Sequence, residues 1–324
     1  MTKLSILLSF FCVLIASSAS FSQDNYLEYH SQLIHCEQLI AEEQNTAAIE
    51  AFDSLFDQFD FVFLRDIKVA TEISVYAGDF ASAWTFLRLG IKSGWTLKSI
   101  KRSNSLRSLE EHAEWTRIIS EYDSLHHIYL DRLNLPLRDK VHDMYKRDQK
   151  KALGALFRFG QKAQDKYAEN KFAPHSELQL HELERILNQY GFPGEQLIGN
   201  DLWASVILSH HNSISHDYNS ADTLYDQLRP KLMTALIHGE ISPYEFAQIE
   251  DWRTAARSGH EQTSLGYLGK IHNTSEFTLI NENRSQIGLR SIELRNSLID
   301  IENSTGMNLY LPIGWQKGKI TVSD

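Results

Sequence analysis

A mainly α-helical protein is predicted: helical hairpins in front, an all-helical domain behind them, and a short extended or β C-terminal tail. Two observations predict the helices. Apolar residues recur at three- and four-residue spacing through most of the chain, and Gly78-Asp79, Asn134-Leu135-Pro136 and Gly191-Phe192-Pro193-Gly194 punctuate those runs. A third predicts the tail. β-branched and apolar residues cluster beside polar turns only in the last fifty or so positions.

The first 22 residues read as a secretory signal peptide. Lys3 supplies a positive start, residues 4–16 are apolar, and Ser20-Phe21-Ser22 fits the small-x-small rule for cleavage before Gln23. The expected destination is secreted or periplasmic. Cys12 lies within the apolar run rather than behind small residues at its end, which does not suit a lipid anchor. No later apolar run has the roughly 18–20 residues that cross a bilayer, so no transmembrane segment is expected after cleavage. Only Cys36 then remains, so packing rather than an internal disulfide must hold the fold, and its apolar helical setting predicts a buried thiol. The formal charge is −10 with Lys3 counted, hence −11 without it, with both signs interspersed. An acidic chain without a basic face repels phosphate backbones, which excludes nucleic acid as a partner.

Residues 23–133 are predicted to be helical and repeat-like. Leu33, Cys36, Leu39 and Ile40 form one apolar stripe, and Ile49, Phe52, Leu55, Phe56 and Phe59 another. Gly78-Asp79 ends one helix and caps the next: Gly tolerates the left-handed backbone of a helix end, and Asp accepts from free amides. This stretch resembles a tetratricopeptide repeat. Gly78 matches its turn glycine, Ala83 and Gly90 its small contact positions, and Leu87 its large apolar position. Ala48 and Ala83 lie 35 residues apart, near that repeat's period of roughly 34. Trp95 stands where a proline is often found. Such hairpins imply a protein or peptide partner on a concave face. Trp84, Phe86, Trp95 and Trp115 would either line that face or pack between helices.

A boundary is expected near Asn134-Leu135-Pro136, because proline suits a first helical turn. The next domain, 134–271, reads as helices over 137–159, 176–190, 201–211, 222–238 and 243–256, with 162–174 a polar loop or helix end. Much of it resembles the DUF6624 family, a bacterial domain family with no established activity. The likeness rests on Leu137-Arg138-Asp139 with Met144 and Arg147-Asp148-Gln149; on 183–193, ending Tyr190-Gly191-Phe192-Pro193; on Ile198-Gly199 through Trp203 to Leu208-Ser209-His210; and on Ala247-Gln248-Ile249-Glu250-Asp251. It implies an all-helical fold. Trp252 separates Asp251 from Arg253, where the family usually has Asp-Arg directly.

In the tail, 272–324, Phe277-Thr278-Leu279-Ile280, Leu309-Tyr310-Leu311-Pro312-Ile313 and Lys319-Ile320-Thr321-Val322 are the segments expected to be extended or to form short strands.

Chemistry is sparse. Neither Gly-x-Ser-x-Gly, Gly-x-Gly-x-x-Gly, a Walker loop nor His-Glu-x-x-His occurs, and no cofactor is predicted. The candidate catalytic set is Asp148, His210 and Asp251, one from each of three family-like helices and expected to meet at the centre of the domain. The candidate metal ligands are His210, His211 and His216. One imidazole with one carboxylate can do general acid–base work, and imidazoles with carboxylates bind zinc. The same residues also suit a hydrogen-bonded polar knot between helices. Two functions stay open: an exported binding or scaffolding protein, or a hydrolase-like or metal-dependent enzyme.

Overall fold

Asn25 starts the first helix: its side chain accepts from the Leu27 amide, and α1 (Tyr26–Ala41) follows. The computed structural model describes residues 25–312 and 318–322, and within them the chain is all-helical, without a strand. The predicted signal peptide lies outside the described residues. No described helix is long and apolar enough to cross a membrane.

Helices α1, α2 (Asn45–Gln58), α3 (Leu64–Ala77) and α4 (Phe80–Lys92) pack successively, each on the next. Gly78 ends α3 at φ +77°, and Asp79 accepts from the Ser82 amide at 3.1 Å to begin α4. Ala83 is fully buried, and a Cβ on Gly90 would come within 2.8 Å of the Trp95 ring. Both small residues are therefore where the helices need space. Trp84, Phe86 and Trp95 are buried and pack the interior, while Trp115 is half-buried. Cys36 is buried as expected, and burial pushes its thiol up to about 12.

A short helix, α5 (Leu97–Ile100), and a 3₁₀ turn (Arg107–Glu111) lead to α6 (Ala113–Arg132), which packs on α4. Asn134 caps α7 (Leu135–Leu156), with Pro136 in its first turn. The segment 162–174 is helical throughout rather than a loop: α8 (Gln161–Tyr167) runs through a π turn (Ala168–Phe172) into α9 (Ala173–Tyr190). Next come α10 (Glu195–Ile198), α11 (Trp203–Asn212), α12 (His216–Ala221), α13 (Leu224–Ile237) and α14 (Pro243–Arg257). A Ser242–Glu245 capping box opens α14. Met144, Leu208 and Ile249 turn into the core that α7, α9, α11, α13 and α14 share.

The tail differs from expectation. Phe277 to Ile280 lie inside α15 (Thr274–Gln286), because Asn273 accepts from the Glu276 amide at 2.9 Å and nucleates a helix. Ile280 turns inward while Leu279 faces solvent, as one helical turn requires. Residues 309–312 are irregular, and Ile313 lies outside the described residues. Residues 319–322 form no strand; the Asn296 side chain pairs with both backbone groups of Ile320, at 2.8 and 2.9 Å, in place of a neighbouring strand. Last is α16 (Ile292–Thr305), which packs on α1 and places Leu298, Met307 and Leu309 in the first hairpins' core. Helix α1 also touches α13. The first and last described helices and α13 therefore meet along one seam.

Candidate functional site

Two of the three predicted catalytic residues come together. Asp148 on α7 and His210 on α11 face each other where those helices pack, with His210 Nδ1 2.5 Å from Asp148 Oδ2. Asp148 is fully buried, and its other oxygen has no hydrogen-bond partner among the described residues. The His210 side chain keeps 27% of its surface and borders a cavity of about 170 Å³, with Phe172 and Ile214 also in the wall.

Asp251 is engaged elsewhere. It is fully buried on α14 and accepts six hydrogen bonds, all from the 263–268 loop. Oδ1 takes the amides of Ser264 and Leu265 and the Ser264 hydroxyl, each at 2.8 Å. Oδ2 takes the amides of Tyr267 (2.6 Å) and Leu268 (3.3 Å) and the Thr263 hydroxyl (3.0 Å). Burial pushes its carboxyl up and these donors pull it back, with burial dominant. The expected three-residue cluster is thus a dyad plus a loop anchor.

The three histidines also diverge. His211 is fully buried, with Nδ1 3.0 Å from Ser176 Oγ and Nε2 3.3 Å from Asp222 Oδ2. Arg253 joins Asp222 at 2.8 Å rather than the nearby Asp251. Burial alone would raise the Asp222 carboxyl, but His211 and Arg253 hold it well below the usual range. His216 is exposed and lies 2.7 Å from the Arg257 carbonyl. No group of three or more His, Cys, Asp or Glu side chains among the described residues is arranged to hold a metal.

A second site was not anticipated. In the seam, α1, the start of α3, α10, the start of α14, the 288–290 loop and residues 310–312 line a half-open cavity of about 260 Å³. Leu33, Ile34, Phe63, Leu289 and Tyr310 make apolar walls. Ionisable groups form its polar part. Glu37 is fully buried between Arg65, at 2.5 Å, and Arg290. Burial would raise the Glu37 carboxyl, but Arg290 and Arg65 outweigh it and hold it low. Asp66 accepts from Tyr29 Oη (2.7 Å) and Arg65 Nη1 (3.0 Å), yet burial still pushes it up. Glu245 accepts from the hydroxyls of Ser205 (2.6 Å) and Ser242 (2.9 Å), and burial raises it too. Glu195 is half-buried, accepts only the Leu64 amide among the described residues, at 2.7 Å, and is pushed up to about 8, first by loss of solvent around it. His30 is buried, with Nε2 unpartnered among the described residues; burial, then Arg290, hold it down at about 3.

The loop anchored by Asp251 supports this cavity. Arg284, fully buried, donates to the carbonyls of Leu265 (2.7 Å) and Arg290 (2.6 Å), so the 263–268 loop and the strap carrying Arg290 share one brace.

Sequence spacing offered one signal. Glu37 falls within the Leu33–Cys36–Ile40 stripe, at a position one turn past Leu33 that a core helix would fill with an apolar side chain. The rest come from segments up to 282 residues apart, as His30 and Pro312 illustrate at the two ends, and no local motif unites them. No family model, no curated protein and no solved structure matches the chain.

Proposed function

We propose that the protein is exported and binds a small, mainly apolar molecule in the 260 Å³ cavity of the seam. The carrying observation is the cavity's composition: an apolar, half-open pocket whose polar part includes buried carboxyl groups with shifted affinities for protons. Burying such groups costs several kcal/mol each unless they are paired, and concave apolar sites with a few convergent polar groups are the usual form of ligand sites. The packed interior position of Trp84, Phe86 and Trp95 favours this reading over capture of a peptide on the hairpins. Export rests on the first 22 residues, and kinship with DUF6624 on the four segments quoted above. Benzyl alcohol should raise the melting temperature by mass action. Ile34→Trp, which fills the cavity from its wall, should abolish that rise; a rise that persists in the variant would place binding elsewhere.

A second reading rests on the Asp148–His210 pair. A buried carboxylate orients a partly exposed imidazole and leaves Nε2 without a protein partner among the described residues. That arrangement suits a general base. Hydrolysis of a p-nitrophenyl ester that His210→Ala removes, with the fold intact, would support it; equal rates in both proteins would oppose it.

A further inference from the structure

The cavity's carboxyl groups outnumber its guanidinium groups. Glu37, Asp66, Glu195 and Glu245 stand against Arg65 and Arg290. Both arginines are engaged by Glu37 and Asp66. Glu245 is held by the hydroxyls of Ser205 and Ser242. Glu195 is left over. One oxygen takes the Leu64 amide; the carboxyl makes no ion pair, and its second oxygen has no hydrogen-bond partner among the described residues. His30, another lining residue, is buried, and its Nε2 has no hydrogen-bond partner among the described residues. Glu195 is half-buried in the cavity wall, so its unused hydrogen-bonding capacity is open to a ligand.

We propose that the cavity takes a compact primary amine with an apolar body, its ammonium group seated on Glu195. The inference rests on the cavity being a binding site, as argued above. An ammonium is a charged donor that can seat on the free Glu195 oxygen. The volume, about 260 Å³, lies below the range for drug-sized ligands, which limits the apolar body to about one ring or a short branched chain.

The groups facing Glu195 set the pH dependence. Lys68 on α3 and Arg132 on α6 attract its negative form, while Asp66 on α3 and Glu245 on α14 repel it. The phenols of Tyr29 and Tyr129 also stand within electrostatic reach. Burial and the two carboxyls prevail, so the empty site holds a proton up to about pH 8. Seating an ammonium ionises Glu195 and releases that proton. Amine binding therefore strengthens as pH rises from 6 towards about 8.

The test is calorimetry on the whole protein with three molecules that share one ring: benzylamine, benzyl alcohol and benzoate. The expected result at pH 8 is benzylamine binding about tenfold or more tighter than benzyl alcohol, the gain of a charge-assisted contact. The heat should vary with buffer in the sense of proton release, and the preference should shrink at pH 6. Glu195→Gln keeps an acceptor for the Leu64 amide and should erase the preference for amine over alcohol. Benzyl alcohol binding as tightly as benzylamine would overturn the amine and leave the cavity reading standing, as would benzoate binding tightest. A failure of all three to bind would overturn both. Should the Gln variant misfold, the buffer and pH dependence of the wild-type protein decide alone.

Discussion

Asp251 and Glu195 are carboxyl groups within a single chain that burial pushes in the same direction, and their surroundings differ completely. Six donors from one loop converge on Asp251, four of them backbone amides. Glu195 has one. A carboxylate that saturates its acceptor capacity within the protein has nothing left to offer a ligand, so Asp251 acts on structure. A carboxyl with a free oxygen on a cavity wall has capacity that only a ligand or water can fill. Internal donors and access together separate a structural acid from a site: Asp251 is fully buried and saturated, Glu195 half-buried and not.

The largest expected effect follows from saturation. Asp251→Ala would strand four amides and two hydroxyls of the 263–268 loop, at a cost of about 4–5 kcal/mol in denaturant unfolding. Through Arg284 it should also loosen the Arg290 strap, visible as faster hydrogen exchange at residues 288–290. A loss under about 1 kcal/mol would mean that the loop holds itself. Asp251→Asn should lose somewhat less, since one oxygen remains.

Next comes Glu37→Gln, which leaves Arg65 and Arg290 without their shared counter-charge and should cost about 3 kcal/mol near neutral pH. The sign of its pH dependence is fixed. Glu37 is held below the ordinary glutamate value in the folded protein, so its stabilisation is present above about pH 4.3 and is lost as pH falls through the folded value. The Gln variant should therefore converge on the wild type in acid. A difference that is constant with pH would assign Glu37 a packing role only.

Ala83→Leu should overpack the contact between α3 and α4 and cost about 1–3 kcal/mol, read as a lower melting temperature. Glu195→Gln should have the smallest effect in acid, where both side chains are neutral, within about 1 kcal/mol. Its direction is distinctive. The folded carboxyl binds its proton more tightly than the unfolded one, so the wild type loses stability as pH rises from about 4.3 towards about 8. The Gln variant lacks that loss and should gain on the wild type across the same interval.

The helices and their caps were legible because they depend on neighbours in sequence. Gly78, Asp79, Asn134 and the inward faces of Met144, Leu208 and Ile249 all follow from local spacing. The tail was misread for a related reason. Phe277 to Ile280 satisfy a strand and one turn of a helix equally, and the Asn273 cap decides. Asp148 and His210 could be paired because each occupies a polar position between apolar neighbours on helices that pack together. Asp251 shares that pattern, yet its partners are backbone amides, which carry no side-chain signature in a sequence. The cavity was hidden because its charges come from both ends and the middle of the chain, and each one alone resembles an ordinary surface residue. Glu37, set inside an apolar stripe, is the exception.

The most direct measurement is a carbon-detected titration of the Glu195 side-chain carboxyl in the whole protein, without and with benzylamine. The empty site should titrate near 8, and benzylamine should move that midpoint downward by at least about one unit, the equivalent of tenfold binding. A Glu195 that titrates near the ordinary glutamate value of about 4.3 and ignores benzylamine would contradict the account.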